Sequence, residues 1–299
     1  MSFKLTEHAP YTLFVDKNNT LYALSRQNDS LLIFHEGSNT TFREIVDNIT
    51  DPINIFVSDD SIFISNYDGP GNIFRWSLNA TIPELVISFS WGCNGLFIDS
   101  NNSIYCSRRL QHQVQMRPLD NNASTSITVA GNGCAGSSLN KLIHPEGIFV
   151  HENFSLYVAD SGNDRIQHFL PGQKNATTVA GYGAPDTITL YSPRDVKLDK
   201  NNYLFIVDTN NDRIVGSGPN GFRCIVGCST STSNSAQRLN LPRSMYFDTY
   251  GNILTLDSEL RQIRKFLLAT NHCSECPENF VIYYQFFTNI LGRRKEKYI

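Results

Sequence analysis

A unit that recurs six times along the chain constrains the fold more strongly than any other feature of the sequence. Its three clearest copies, residues 145–160, 193–208 and 242–257, align on one another without gaps. Starts separated by about 40 to 50 residues are typical of propeller blades, in which each repeat forms one small sheet. The six copies start at Pro10, Pro52, Cys93, Pro145, Pro193 and Pro242.

Each copy has the composition of β-strands rather than of helices. Two short runs rich in Val, Ile, Phe and Tyr, such as residues 147–150 and 156–159, flank a polar turn. Asn, Asp and Gly in these turns tolerate a positive φ and bond their own backbone, which favours hairpins. A third and a fourth run complete each copy, as in residues 165–169 and 177–179. The chain is therefore predicted to be all-β, a six-bladed β-propeller of four-stranded antiparallel blades.

The fourth and fifth copies carry a more specific signature. The segments Tyr157-Val-Ala-Asp-Ser-Gly-Asn-Asp-Arg-Ile166 and Phe205-Ile-Val-Asp-Thr-Asn-Asn-Asp-Arg-Ile214 closely resemble the NHL repeat. The resemblance reaches motif level only over residues 125–227, and the sixth copy has Gln262 in place of the arginine. It implies that the aspartate and the arginine of each motif form a structural pair across a strand connection. The implied pairs are Asp160 with Arg165 and Asp208 with Arg213.

The repeats leave room for one domain, an NHL-type propeller at residues 1–268, followed by a C-terminal tail at residues 269–299. A net charge of -3 gives no field that attracts nucleic acid along the whole surface. The apolar segment at residues 280–291 is shorter than the ~20 residues that span a bilayer. We therefore expect a monomer with no nucleic-acid partner and no membrane span.

The sixth copy ends without a fourth strand, and two segments compete to supply it. Residues 2–6 precede the first blade at the spacing of a fourth strand, whereas residues 280–287 are more strand-like but lie in the tail. An unpaired sheet edge at the seam of the ring is a liability. Register favours the N-terminal segment, so Phe3 and Leu5 are predicted to pair with residues 264–268 while the tail packs outside.

Signals for the cellular compartment conflict. Nine Asn-x-Ser/Thr acceptor sequences, several of them in predicted turns, favour an extracellular glycoprotein over a cytoplasmic protein. The first eight residues, in contrast, lack the apolar core of a signal peptide. The acceptor asparagines are Asn18, Asn28, Asn39, Asn48, Asn79, Asn101, Asn122, Asn153 and Asn175.

The cysteines do not settle the compartment. There are seven, so at least one is free or pairs with another chain. The Cys273-Ser-Glu-Cys276 segment has no second pair at zinc-ligand spacing, which favours a disulfide that pins the tail over a zinc site. Cys106 aligns with apolar strand positions and is expected to be a small core residue.

The sequence shows no catalytic constellation. It has no Gly-x-Ser-x-Gly, no P-loop and no His-Glu-x-x-His. The α-amidating lyases, which resemble NHL propellers, use several histidines around the central channel. Here only His144 lies at the start of an inner strand, so a lyase of that type remains an alternative without support.

A second enzyme alternative concerns a cation on the propeller axis. Propellers similar to gluconolactonase hold a divalent cation with carboxylate and amide oxygens, the ligands that Ca²⁺ prefers. Polar residues at strand starts also cap backbone groups and bind channel water, which is the interpretation we prefer, so no cofactor is expected. The four oxygen donors at successive inner strands are Asn54, Asn94, Glu146 and Asp195.

The favoured function is a non-enzymatic platform that binds a protein partner. In a propeller, the loops from second to third strand and from fourth strand to the next blade open on one face, here called the top face. The longest loops lie there, at residues 131–144, 181–192 and 227–241, and functional residues concentrate on such loops. RNA binding is a third alternative, but the arginines supply only a partial positive face. The candidate contact residues are Arg108, Glu146, Tyr191, Arg194 and Arg243.

Overall fold

The computed structural model describes residues 2–4, 10–38, 43–45, 49–67, 71–77, 82–88, 92–119, 125–228, 238–268 and 282–285. Six antiparallel sheets form a ring, which confirms the predicted six-bladed β-propeller. Three short 3₁₀ turns, Arg109–Gln111, Ser161–Asn163 and Thr209–Asn211, are the helical elements of the described residues. No helix in this part of the chain has the length and apolar character needed to cross a bilayer.

The strands follow the repeat. β1 (Ser2–Lys4) belongs to the last blade. Blades 1 to 3 contain β2 (Pro10–Val15), β3 (Leu21–Ser25), β4 (Ser30–Phe34), β5 (Arg43–Ile45), β6 (Pro52–Val57), β7 (Ser61–Asn66), β8 (Asn72–Ser77), β9 (Glu84–Ser88), β10 (Gly95–Ile98), β11 (Ser103–Arg108), β12 (Gln113–Pro118) and β13 (Ile127–Gly131). Blades 4 to 6 contain β14 (Pro145–Val150), β15 (Leu156–Asp160), β16 (Arg165–Phe169), β17 (Thr177–Gly181), β18 (Pro193–Leu198), β19 (Leu204–Asp208), β20 (Arg213–Gly216), β21 (Arg223–Val226), β22 (Pro242–Phe247), β23 (Ile253–Asp257) and β24 (Gln262–Leu268), and β25 (Ile282–Gln285) pairs with β24.

Two segments close the ring. β1 pairs with β24, with Phe3 opposite Ile263, so the N-terminal closing strand is found, although closer to the start of β24 than predicted. β25 pairs with the second half of β24, over residues 265–268. The expectation that the tail packs outside is therefore wrong for β25. β24 has seven residues and β1 only three, so β24 offers an edge long enough for both; Leu5 lies outside the described residues.

The hydrophobic core lies between the blades. Six side chains from the inner strands of blades 4 to 6 pack there, four of them buried and two partly buried. Burial of each such side chain stabilises the ring by about 1.5–3 kcal/mol. They are Ile148, Val150, Val196 and Met245 in the first group, and Leu198 and Phe247 in the second.

Aspartates fix the hairpin turns on the bottom face, opposite the top face. In blade 1, Asp16 Oδ1 accepts bonds from the backbone nitrogens of Asn18 and Thr20, each at 2.8 Å. Such a carboxylate replaces the partners that a turn takes from its backbone. Blade 4 uses the ring nitrogen of His151 instead. The aspartates with the same two bonds are Asp16, Asp99, Asp199 and Asp248.

The implied Asp–Arg pairs form, and each holds a top-face loop. Arg165 donates its Nε to Asp160 at 2.8 Å and its other nitrogens to the carbonyls of Ser137, Ser138 and Lys141. We call such a pair, together with the loop it holds, a loop clasp. Blades 5 and 6 repeat it, with the pairs Asp208–Arg213 and Asp257–Arg264.

The sixth blade obtains its clasp in an unexpected way. Its motif has Gln262 where the arginine is expected, but Arg264, two residues further along β24, reaches Asp257 at 3.3 Å and the carbonyl of Arg238. Residues two apart on a strand point to the same face. The arginine is thus displaced along the strand without losing its partner.

Two disulfides form among the described cysteines, Cys93–Cys106 and Cys224–Cys228, and Cys134 is free and exposed. Cys106 is fully buried, as expected of a core residue, but its bond to Cys93 was not predicted. It links the inner strand region of blade 3 to the second strand. The pair at residues 273 and 276 lies outside the described residues.

Candidate binding site at the mouth of the central channel

The inner strands of the six blades surround one channel. The register of five of them shifts near their first residue. Such a bulge re-aims the side chains at a strand's start. One small cavity of about 40 Å³ is accordingly lined by residues from all six inner strands, which is room for little more than a water or two. The first residues of the inner strands therefore form the mouth of the channel on the top face.

A circle of five aromatic side chains closes the channel toward the bottom face. The ring centroids of Phe14 and Phe56, of Phe56 and Phe97, and of Phe97 and Phe149 lie 5.3, 5.3 and 5.4 Å apart. Tyr246 continues this circle at 4.7 Å from Phe14. Contacts at this spacing are favourable beyond their buried area. We call these five side chains the aromatic plug.

Blade 5 contributes a lysine where the other blades contribute an aromatic side chain. Lys197 Nζ lies 4.8 Å from the centroid of Tyr246 and 2.6 Å from Asp195 Oδ1. Both members of this ion pair are buried. Burial, with a contribution from Asp195, raises the pKa of Tyr246. The Asp195–Lys197 pair thus completes the wall directly above the plug.

Glycines narrow the channel between neighbouring blades. A Cβ atom at Gly147 would lie 2.6 Å from the carbonyl oxygen of Arg194 and equally close to Asp195 Oδ1. A Cβ atom at Gly95 would meet the carbonyl oxygen of Glu146 at 2.4 Å. Contacts this short do not occur in folded proteins, so only glycine permits the inner strands to approach here.

The four predicted oxygen donors meet at this cavity, where each already takes part in hydrogen bonds. All four line it. Asn54 donates Nδ2 to the carbonyl of Asn94 at 2.6 Å, and Asn94 donates Nδ2 to Glu146 Oε2 at 3.3 Å. Asp195 already accepts bonds from Lys197 and from two backbone nitrogens. Within the described residues, no three carboxylate, histidine or cysteine side chains cluster as metal ligands would.

Arginines surround the mouth. Arg109 donates Nε to Glu146 Oε1 at 2.8 Å. Arg26 donates Nε and Nη2 to the two carboxylate oxygens of Asp51. Its guanidinium carbon lies 5.5 Å from the centroid of the Tyr11 ring. These two ion pairs, from the top-face loops of blades 3 and 1, place positive charge next to the first residues of the inner strands.

Two further arginines at the mouth have no carboxylate partner among the described residues. Arg194 and Arg243 occupy the same position in neighbouring inner strands and both line the cavity. The Arg243 guanidinium lies 4.7 Å from the centroid of Tyr11. The Nε of Arg194 is buried and has no hydrogen-bond partner. Burial lowers the pKa of Arg194; Glu146 opposes this effect, and Arg243 and Arg109 add to it.

The other two predicted rim residues lie elsewhere. Arg108 ends β11 and is buried, with Nη1 donating to Gln115 Oε1 at 2.9 Å. Its strand position corresponds to that of Asp160 in blade 4, which is directed toward the loop rather than the channel. Tyr191 is 55% exposed on the loop before blade 5, where its backbone nitrogen bonds Asp208.

Sequence reasoning missed several residues of the mouth. Tyr11 aligns with Glu146, Arg194 and Arg243 in the repeat. Lys197 lies two residues after Asp195 on the same face of its strand, so the repeat contained the signal for both. Arg26 and His112 come from second-to-third loops, whose approach to the axis the alignment does not specify. The ring centroids of His112 and His144 lie 5.1 Å apart. Burial, Arg109 and His112 together lower the pKa of His144.

The top face also carries exposed apolar side chains. Six of the eleven large apolar side chains exposed in the described residues lie in its loops. Tyrosine is the largest contributor, with Tyr182 71% exposed. They are Tyr67, Leu110, Leu139, Tyr182, Tyr191 and Leu260.

Comparison with known proteins supports the architecture. No family model matches the chain, and no curated protein matches it either. Among solved structures, virginiamycin B lyase from Staphylococcus aureus with quinupristin is 11% identical, with a TM-score of 0.62, over 95% of this chain and 87% of that one. An auxiliary nutrient binding protein from Bacteroides thetaiotaomicron is 17% identical, with a TM-score of 0.67, over 86% and 68%.

A nidogen/laminin complex gives a further similar structure, 16% identical with a TM-score of 0.54, over 83% of this chain and 89% of that one. The three structures contain a lyase, a nutrient binding protein and a nidogen/laminin complex, and one fold hosts many functions. At these identities the likeness extends to the fold alone. The chain is a six-bladed β-propeller.

Proposed function

We propose that this protein is a non-enzymatic, NHL-type propeller that docks a protein partner on its top face. The observation that carries the proposal is the presence of exposed tyrosines on loops that are held in place. Tyr182 and Tyr191 flank the loop before blade 5, and their solvent-exposed fractions are 71% and 55%. Tyrosine is enriched at protein interfaces because it combines apolar area with a polar tip.

The loop that carries these tyrosines is fixed by the fifth-blade clasp. Arg213 donates to the carbonyl of Thr189, and Asp208 accepts from the backbone nitrogen of Tyr191 at 2.7 Å. Tyr182 donates its backbone nitrogen to the carbonyl of Asp164. A loop already ordered in the free protein loses less conformational entropy on binding, which favours affinity.

The distribution of glycan acceptor sites supports the same face. Asn28 lies in a top-face turn, whereas the other four acceptor asparagines of the described residues lie in bottom-face turns and loops. All five are exposed. Glycans at the four bottom-face positions would leave the top face accessible. These four are Asn18, Asn101, Asn153 and Asn175.

The test compares the two faces through matched tyrosines. A photocrosslinking phenylalanine derivative in place of Tyr191 should capture a discrete partner, to be identified by mass spectrometry. The same replacement of Tyr250, which is 66% exposed on the bottom face, should not. The purified partner should then bind the wild-type protein and Y250S equally, and the double variant Y182S/Y191S at least tenfold more weakly. Equal crosslinking or equal weakening from both faces would contradict the proposal.

A further inference from the structure

The charges at the mouth of the channel do not balance. Each of three basic side chains there has its own carboxylate, in the pairs Arg109–Glu146, Arg26–Asp51 and Lys197–Asp195. Arg194 and Arg243, which lie side by side on neighbouring inner strands, form no ion pair within the described residues. The mouth therefore carries two positive charges in excess, in a protein whose net charge is -3.

Two buried polar groups that line this cavity lack a hydrogen-bond partner, Ser244 Oγ and Arg194 Nε, and of the two only Arg194 is charged. Arg194 Nε is buried without a hydrogen-bond partner, and leaving a buried donor unpaired costs about 1–3 kcal/mol, more for a charged group. Burial is the main cause that lowers the pKa of Arg194, and the like charge of Arg243 acts in the same direction. Buried polar groups without a partner in a folded protein are rare and call for a specific explanation.

The dimensions of the site limit what fits. The guanidinium group presents parallel N–H donors that match the two oxygens of a carboxylate. The cavity of about 40 Å³ ends at Tyr246 of the aromatic plug. It therefore has room for one functional group of a ligand and not for a whole small molecule. Glu146 and Asp195 line the same wall and would repel the successive phosphates of a nucleic acid.

We propose that Arg194 and Arg243 bind a single carboxylate group at the mouth of the channel. Arg194 donates the otherwise unpartnered Nε, and Arg243 is held in position by the ring of Tyr11. This inference rests on the proposed function in that the carboxylate belongs to an acidic side chain, or to the terminal carboxylate, of a protein on the top face. A free small carboxylate has the same chemistry, and the experiment distinguishes the two sources.

The experiment uses two probes of defined charge. Succinate represents a free carboxylate, and the capped peptide acetyl-Gly-Glu-Gly-amide represents a protein side chain, with its Gln analogue as the neutral control. Isothermal titration should show binding of a carboxylate probe at low salt and none of the Gln peptide. The Nε–H signal of Arg194 in ¹H–¹⁵N spectra should shift on binding, because this group is the predicted donor.

Matched variants locate the site. R194Q and R243Q should each weaken carboxylate binding at least tenfold, whereas K200Q, which removes the same charge from an exposed bottom-face turn, should not change it. If R194Q does not fold, R194K keeps the charge without the planar fork and should weaken binding as well. Preferential binding of the peptide assigns the carboxylate to a partner protein, and preferential binding of succinate assigns it to a small molecule.

Three results would overturn the inference. In the first, neither carboxylate probe binds. In the second, binding persists unchanged in both R194Q and R243Q. In the third, an oligouridylate binds through Arg194 while the carboxylates do not, which would favour RNA. None of these results affects crosslinking from Tyr191, so partner docking on the top face stands or fails separately.

Discussion

Blades 1 to 3 and blades 4 to 6 hold their top-face loops in different ways. The loops that enter blades 4, 5 and 6, at residues 132–144, 182–192 and 227–241, are about twice as long as those that enter blades 2 and 3, at residues 46–51 and 89–94. Described residues of each long loop are held by a clasp in the blade that the loop enters. Described residues of blades 2 and 3 contain no clasp.

The residues at the corresponding strand position explain the difference. Where blades 4 to 6 have Asp160, Asp208 and Asp257, blade 2 has Asn66 and blade 3 has Arg108. A short loop leaves few backbone carbonyls to satisfy, so no arginine fork is required. The recognisable motif thus marks the blades whose loops are long, which are also the loops that carry the proposed docking tyrosines. We therefore expect the loss of stability to decrease from the buried clasps of blades 4 to 6 to the exposed ion pair of blade 1.

The largest effect is expected for the clasp of blade 4. In the Arg165–Asp160 pair both side chains are at most 4% exposed. R165A removes the positive partner of a buried carboxylate, which keeps only the bonds from Ile143 N and Asn163 Nδ2, and the side-chain donor of three loop carbonyls. Removing one partner of a buried ion pair costs about 3–5 kcal/mol. Urea unfolding should show this loss, and amide exchange should accelerate first in residues 132–144. A loss below about 1 kcal/mol would mean that the clasp does not hold the loop.

The second prediction concerns the pH dependence of the clasp in blade 6. Burial raises the pKa of Asp257 to about 6, although Arg264 and backbone donors act in the opposite direction. Between about pH 4 and pH 6 the folded state holds a proton that the unfolded state has released, so this group makes stability fall as the pH rises through that window. The loss is on the order of 2–3 kcal/mol.

The control variant for this pH range is D257N, because asparagine has no carboxyl group to titrate. Burial also raises the pKa of Asp160, so part of the pH dependence will persist in the variant. The free energy of unfolding of the wild type minus that of D257N should therefore decrease between pH 4 and pH 6 and then level off. A constant difference across the window would show that Asp257 ionises at its ordinary pKa in the folded protein.

The sequence contained most of the fold and only part of the site. Repetition sets six inner strands in register, so Glu146, Arg194 and Arg243 could be placed at one end of the channel from the alignment alone. The approach of Arg109 to Glu146 could not, because it depends on the path of a loop rather than on strand periodicity. Arg108 was a candidate contact residue of the rim, but its side chain is buried and its strand position is that of a clasp residue.

The clasp of blade 5 should show an intermediate effect. Asp208 is fully buried, whereas Arg213 is 23% exposed, so water partly compensates for the loss of the guanidinium. R213A should cost about 1–3 kcal/mol, measured by urea unfolding. Amide exchange should accelerate in residues 182–192, and the affinity for the top-face partner should fall because Tyr191 loses its fixed position. If amide exchange becomes faster while the affinity for the partner is unchanged, the order of this loop does not contribute to docking.

The smallest effect is expected for Arg26–Asp51, the ion pair between blade 1 and the loop that enters blade 2. Its side chains are 38% and 32% exposed, and pairs exposed to this degree contribute about 0.2–1 kcal/mol that salt screens. R26A should therefore lose less stability than R213A, and the loss should shrink when the ionic strength is raised to 1 M. Part of the residual loss belongs to contacts with Tyr11 and Tyr67, whose rings lie 5.5 and 5.3 Å from the guanidinium carbon. R26K, which keeps the charge but not the planar group, separates the two contributions. If R26A instead matched R165A, the short loops would depend on buried charge as strongly as the long ones, and loop length would not explain where the motif occurs.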